Sequence, residues 1–215
     1  MSSQLDRKEI KRPDAFQEKA GDLVEFLNQN SKSVIVIVAA LFAIGIGAGL
    51  VNNLRNRKAQ EADSAFYQAK KALLKGQLEP LEKVMHDYKG TRASFEAGLA
   101  LGDNAFEKKN SAKAVEYYKQ ALENAKTRPM KAVAQHSLAY SYEDSKQYDQ
   151  AIDSLHYIVG SEDKSLKIDA LMALARNYDL KGDKVKAIET YNQITKDFPN
   201  TSVAKTAETE KNKLR

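Results

Sequence analysis

An uninterrupted apolar run from Val34 to Val51 constrains this chain more than any other feature of its sequence. The run is 18 residues long and contains no charged residue, no amide and no proline. Written as a helix with a rise of about 1.5 Å per residue, it is long enough to cross the hydrocarbon core of a bilayer. We therefore predict a transmembrane helix over residues 33–52.

A cleaved signal peptide is the alternative interpretation of this run. A signal peptide has a short basic leader and an apolar stretch of roughly 7–15 residues, whereas 33 residues precede this run. Those residues include an amphipathic segment, with Ala20, Leu23, Val24 and Leu27 on one side of a helix. We expect a retained anchor, with residues 1–32 as a tail that lies in the membrane interface or docks against a partner helix.

Basic residues flank the span on both sides. Six basic residues precede it, and Arg55, Arg57 and Lys58 follow it, so the count of positive charges is nearly balanced. The first span usually sets the topology, and large domains translocate largely regardless of charge. We expect a single-pass protein with a cytosolic tail (1–32) and residues 53–215 across the membrane.

Small residues within the span offer a place for another helix to approach. Gly45 and Gly49 stand four residues apart, which puts both on one face. Glycine is also simply frequent in membrane helices. A helix contact at Gly45 and Gly49 is therefore one of two interpretations.

The chain after the span contains an internal repeat. Ala114, Ala151 and Ala187 stand 37 and 36 residues apart, and each is followed by a β-branched residue and then by a tyrosine or leucine. A second amphipathic segment precedes each alanine, with a small residue at Gly102, Ala139 or Ala175. A fixed period of this length is typical of stacked helix pairs, and the small residues are expected to let the two helices of a pair pack closely.

This spacing resembles the tetratricopeptide repeat, whose period is about 34 residues. The tryptophan often found early in its first helix is absent, and Gly98, Gln135 and Leu171 stand at the matching positions. Together with the predicted span, the resemblance implies an all-α fold, with a single N-terminal transmembrane helix followed by a tetratricopeptide-repeat-like α-solenoid over 53–215. The predicted units are about 59–90, 92–126, 129–160 and 165–199, with a polar cap helix at 201–215.

In a solenoid of helix pairs, the first helices line the concave face, which provides an extended binding surface. Aromatic and methionine side chains there tolerate varied partner sequences. The alternative is that the same side chains only fill the contacts between repeats. We predict a protein-binding groove formed by Leu99, Asp103, Phe106, His136, Tyr140, Glu143, Met172, Arg176 and Asp179. Arg176 is its best polar candidate, because a guanidinium can clamp a carboxylate.

The sequence offers little for catalysis or for a cofactor. No cysteine is present, which excludes disulfides and thiol chemistry. His86, His136 and His156 fall in different units, without the spacing of metal ligands. The net charge of +5 is spread over mixed basic and acidic side chains and forms no nucleic-acid patch. We expect no enzyme, no metal, no cofactor and no small-molecule substrate.

The whole layout resembles the YfgM-like family of ancillary subunits of the bacterial Sec translocon. The resemblance implies an inner-membrane protein with periplasmic repeats that contacts SecYEG, a membrane-anchored prolyl isomerase and periplasmic chaperones, and aids the handover of exported proteins. The alternative is an envelope adaptor for cell-wall or outer-membrane assembly, because residues 191–199 also resemble repeats of Tol-Pal-associated coordinators. Retention of residues 1–51 distinguishes the two, since those coordinators are made with a cleaved signal.

Overall fold

A computed structural model describes residues 15–160 and 164–214, and every regular element in these ranges is a helix. The predicted tail before Ala15, residues 161–163 and Arg215 lie outside the described residues. The helices are α1 (Ala15–Gln29), α2 (Ser31–Leu73), α3 (Glu79–Asp87), α4 (Arg92–Glu107), α5 (Ser111–Asn124), α6 (Arg128–Asp144), α7 (Tyr148–Val159), α8 (Lys164–Lys181), α9 (Lys184–Asp197) and α10 (Ser202–Lys213). The all-α expectation is confirmed.

The chain divides into two compact units, residues 1–56 and 57–215. The first unit contains α1 and the apolar part of α2, which is long and apolar enough to cross a membrane and whose apolar window is not buried in the structure. The apolar stripe of α1 is exposed as well, at Leu23, Val24 and Leu27. An uncovered apolar surface of this kind suits a lipid environment, since soluble chains bury long apolar helices.

In the second unit, capping side chains mark the starts of α4, α5, α6, α9 and α10. The side chains of Thr91, Asn110, Thr127, Asp183 and Thr201 each accept a hydrogen bond from the backbone N–H three residues on. Such a bond satisfies one of the N–H groups that the first turn of a helix leaves without a partner. These caps divide the repeat sequence into short helices, each of which packs against its neighbours in chain order from α3 to α10.

Glycine brings α4 and α5 into close contact. A Cβ at Gly98 would lie 3.0 Å from the Cβ of Ala121, and a Cβ at Gly102 would lie 2.4 Å from the Tyr118 ring. The distance at Gly102 is shorter than two carbon atoms tolerate, and the distance at Gly98 is tighter than most such contacts. The prediction that the small residue at 102 allows close packing is confirmed. At position 98, the short distance to Ala121 leaves no room for the tryptophan often found there in the repeat.

Buried hydrophobic clusters follow one another along the repeats. Leu101 and Leu138 belong to a cluster shared by the first units, while Leu155 and Ile158 pack with residues of α8 in the next cluster. At the C-terminal end, Ala207 of α10 is fully buried against Tyr191 and Ile194 of α9. Helix α10 therefore covers the apolar edge of the last pair, as a cap helix does.

A left-handed residue ends the first helix of each pair. Gly76, Lys109, Lys146 and Gly182 have φ values of 78°, 60°, 58° and 91°, and they recur at 33, 37 and 36 residues. Glycine adopts this conformation freely, whereas a residue with a Cβ does so at a cost. The turn is thus dictated by the repeat geometry and not by the residue at each position.

We expect Gly182→Ala to lower the free energy of unfolding by about 1 kcal/mol, because alanine resists a left-handed backbone. A Cβ at Gly182 has nothing within 4 Å, so the cost is conformational and not steric. Lys146→Ala is the matched control, since lysine already has a Cβ in the same conformation. Urea unfolding followed by near-ultraviolet tyrosine dichroism measures both. Equal losses in the two variants would contradict the explanation.

Candidate functional site

The nine predicted site residues lie on three successive first helices, three to a helix. Because the repeats are 37 and 36 residues apart, Leu99, His136 and Met172 share one position, Asp103, Tyr140 and Arg176 share the next, and Phe106, Glu143 and Asp179 share the third. Helix α4 contacts α6 directly. We call the surface formed by the exposed side chains of α4, α6 and α8 the first-helix face.

A hollow of about 250 Å³ opens on this face between the first two of these helices. It is lined by Phe106, Tyr118, His136, Ser137 and Tyr140. The rings of His136 and Tyr140 are tilted against each other, with centroids 4.8 Å apart. The structure thus brings Phe106, His136 and Tyr140 together around one cavity whose walls are mostly aromatic.

The Tyr118 hydroxyl at this hollow is hydrogen-bonded within the chain. It donates a hydrogen bond to Asp103 Oδ1 at 2.6 Å, which fixes the ring against α4. Burial raises the pKa of Tyr118, and the hydrogen bond and charge of Asp103 raise it further, as does the charge of Glu107. The phenol therefore stays neutral and serves as a wall of the hollow.

Burial also acts on His136, whose ring is half-buried. It lowers the pKa of His136, while the negative charge of Asp169 on α8 works in the opposite direction and offsets only part of this effect. The imidazole is therefore neutral near pH 7. A neutral ring keeps the hollow suited to an apolar group.

Charged groups link α6 to α8 next to the hollow. Arg176 Nε and Nη2 donate to the two carboxylate oxygens of Glu143 at 2.9 and 3.0 Å, and the Asn177 amide donates to the same carboxylate. The guanidinium also lies 5.7 Å from the centre of the Tyr140 ring. Burial alone would lower the pKa of Arg176, but the hydrogen bonds and charge of Glu143 outweigh it and raise the pKa. The carboxylate that Arg176 binds is thus one of the chain's own.

The remaining predicted residues divide between the core and the surface. Leu99 and Met172 are half-buried and pack against core clusters, and Phe106 packs partly against the core as well. Asp103 is exposed, and the charge of Asp179 acts on the buried Tyr191 phenol. Packing between repeats, the alternative interpretation, accounts for Leu99 and Met172 in this structure.

Sequence reasoning missed three residues of this site. Tyr118 and Ser137 line the hollow, and the charge of Asp169 on α8 acts on the pKa of His136. Ser137 directly follows His136, so its position was available from the repeat spacing. Tyr118 lies on a second helix, and only the absence of a side chain at Gly102 lets its ring reach the hollow's edge.

We expect the free energy of unfolding to decrease as the pH falls from about 7 to below 6. The pKa of His136 is lower in the folded chain than in the unfolded one, so the unfolded state binds more protons in this range. In the His136→Gln variant, whose side chain cannot be protonated in this range, the free energy of unfolding should decrease less. In the Asp169→Asn variant the free energy of unfolding should decrease more, because the substitution removes the negative charge that favours protonation of His136 in the folded chain. Urea unfolding at pH 5.5, 6.5 and 7.5 tests this, and identical slopes in all three proteins would contradict it.

The predicted helix contact in the span lies on an open surface. A Cβ at Gly45 or Gly49 would have nothing within 4 Å. Leu41, Phe42 and Ile46 flank Gly45 and leave a shallow depression beside it. The helix contact at Gly45 and Gly49 stays a prediction.

Comparison with known proteins gives the repeats a family. The sequence pattern described as a tetratricopeptide repeat-like domain matches residues 25–185, about three quarters of the chain. The structure is similar to the nearly identical TPR-like repeats of a protein described as a kinesin light chain from Podosopora anserina, with a TM-score of 0.56 and 19% identity over 73% of this chain and 86% of that one. A single-residue variant of those repeats gives the same TM-score and identity, with 85% of its chain covered. This likeness concerns the fold, and no curated protein sequence matches the chain.

Proposed function

Because the chain belongs to the tetratricopeptide repeat-like domain family, we propose that it captures segments of other proteins on its first-helix face while anchored in a membrane. Repeats of this family are protein–protein interaction scaffolds. Stacked helix pairs bind partners along an extended surface, since each pair contributes a few side chains. The proposed activity is binding without catalysis.

The hollow at Phe106, His136 and Tyr140 carries this proposal. Its walls are aromatic, and it opens beside the Glu143–Arg176 pair, so an apolar seat lies next to fixed polar groups. Binding sites commonly combine an apolar cavity with a few convergent polar groups that orient the ligand. Residues 99, 106 and 172 also support the core, but Tyr140 and His136 present ring surface that the core does not use.

The apolar part of α2 supports the membrane anchor. Its length and composition match a single span, and its surface is uncovered. We propose that the tail is cytosolic and that the repeats lie across the membrane, because the first span usually sets the topology and a large domain translocates largely regardless of its charge.

At a finer level, we propose that the protein is ancillary to the Sec translocon of a bacterial inner membrane. The support is the resemblance of the layout to the YfgM-like family, a short amphipathic tail, one span and divergent repeats. In this role the span contacts the SecYEG channel, and the repeats contact a membrane-anchored prolyl isomerase and periplasmic chaperones during handover of exported chains. The alternative role is an envelope adaptor for cell-wall or outer-membrane assembly, which differs from the translocon role in the partners that it contacts.

Site-specific photo-cross-linking in cells tests both levels. Cross-linking residues are placed at Gly47 in the span and at Tyr140 on the first-helix face, with Tyr157 on the exposed surface of α7 as the control. We expect partner cross-links from Tyr140 but not from Tyr157, and channel cross-links from Gly47. Equal cross-linking from Tyr140 and Tyr157 would count against the capture face. Cell-wall partners alone, or a processed soluble protein, would favour the adaptor.

The absence of cysteine allows a direct test of topology. Single cysteines at Lys19 and Lys75, both exposed, are treated with a membrane-impermeant maleimide on intact cells with a permeable outer membrane. We expect labelling at position 75 and protection at position 19. The reverse pattern would place the repeats in the cytosol and remove the periplasmic part of the proposal.

A further inference from the structure

The charge around the hollow indicates which segment it takes, an inference that rests on the proposed function. Asp103 and Glu107 lie close enough to Tyr118 to act on its phenol, and Asp169 acts on His136 from the opposite helix. All three carboxylates are exposed. Asp103 is hydrogen-bonded to Tyr118 in the wall of the hollow, and Glu107 directly follows Phe106 in its lining. Acidic groups thus stand on α4 and α8, the two first helices that contact α6.

Within residues 15–160 and 164–214, none of Asp103, Glu107 and Asp169 takes part in an ion pair. Arg176, which lies over the Tyr140 ring, is paired with Glu143 through two hydrogen bonds. An acidic rim on a chain whose net charge is +5 is thus a local feature and not a consequence of the overall composition.

The acidic rim disfavours two of the common partners of a membrane protein. Nucleic acids and the headgroups of anionic lipids carry negative charge, which these carboxylates repel. A protein segment with positive charge is attracted, and complementary charge at the rim of an interface speeds association and selects among partners.

We propose that the first-helix face binds a basic segment, with one aromatic or large aliphatic side chain seated in the hollow and lysine or arginine on either side of it. The aromatic walls of Phe106, His136 and Tyr140 enclose the apolar side chain. Asp103 and Glu107 on one side and Asp169 on the other face the flanking cations. A neutral His136 adds no repulsion toward them.

Fluorescence anisotropy with the full-length protein in nanodiscs of uncharged phosphatidylcholine tests the proposal. Three labelled peptides of equal length are compared, one with lysines flanking a phenylalanine, one with glutamates flanking a phenylalanine, and one with lysines flanking an alanine. We expect the lysine–phenylalanine peptide to bind at least about tenfold more tightly than either of the others. Its affinity should also fall as salt is raised.

Variants then assign the charge effect to this rim. Asp103→Asn with Asp169→Asn should reduce the preference for lysine over glutamate flanks to about threefold or less. The amide oxygen at 103 can still accept the Tyr118 hydrogen bond. Asp153→Asn, on the exposed surface of α7, is the matched control and should keep the full preference.

The outcomes separate this inference from the proposed function. If the glutamate peptide binds as tightly as the lysine peptide and Tyr140→Ala weakens both, the face captures segments but the basic preference is wrong. If the Asp103 and Asp169 variant keeps the preference, the rim does not cause it. If no peptide binds, or Tyr140→Ala changes nothing, the capture face itself is wrong and the inference fails with it.

Discussion

Replacing Gly102 with valine is expected to lower the free energy of unfolding by about 3 kcal/mol, because the added side chain would overlap the Tyr118 ring. Even a single Cβ at this position would lie 2.4, 2.5 and 2.8 Å from three ring carbons of Tyr118. The ring has little room to move, because Tyr118 is buried and its hydroxyl is bound to Asp103. The gain in helix propensity from replacing glycine, roughly 0.5–1 kcal/mol, offsets only part of this strain.

Urea unfolding of the full-length protein, followed by tyrosine dichroism, measures the loss. Tyr118→Ala provides a double-mutant test, since removing the ring creates space for the valine, and the two changes together should destabilise less than their sum. Gly160→Ala is the matched control, because its nearest neighbours lie at 3.7 and 3.8 Å and its backbone is not left-handed. A Gly102→Val protein within about 0.5 kcal/mol of the parent would show that α4 and α5 are not in close contact.

Combining Phe106→Ala with Tyr140→Ala is expected to weaken capture of the lysine–phenylalanine peptide by about a hundredfold. Aromatic side chains that seat a partner group commonly contribute about 1–2 kcal/mol or more each, and every 1.4 kcal/mol is a factor of ten. The two rings stand on different helices and face the same hollow, so both walls are lost together. The Tyr140→Ala substitution also removes the contact between the Tyr140 ring and the Arg176 guanidinium.

Helix content should remain close to that of the parent, which far-ultraviolet dichroism checks. Because Phe106 also packs against the core, the single variant Tyr140→Ala tests binding with less disturbance of the fold. Its affinity for the peptide should fall about tenfold. Tyr157→Ala on α7 removes an exposed ring of the same kind away from the face and should bind normally. Unchanged affinity in the double variant would exclude the hollow as the seat.

The helix pairs were predictable because their signals are local. Alanines at 114, 151 and 187 recur at a fixed period, and all three are fully buried in the structure. Capping residues such as Thr91 and Thr127 act within one turn, so their effect depends on neighbours in sequence.

The site was predictable in part, because the repeat spacing assigns residues to a face but not to a contact. Phe106, His136 and Tyr140 were expected to share a surface, and the structure places them around one hollow. That Arg176 is bound by Glu143 was not predictable, because the two stand 33 residues apart on different helices and their distance depends on how α6 packs on α8.

By itself, the sequence determined the apolar span, the all-helical fold and the order of the repeats, since each depends on the periodicity of hydrophobic residues along a single segment. Only the tertiary structure decided which side chains of the first helices are free to bind. Leu99 and Met172 pack partly against the core, Arg176 is paired with Glu143, and Tyr118 lines the hollow from a second helix. The reason is that exposure, pairing and cavity shape arise between helices, where the separation of side chains is set by packing and not by their distance along the chain.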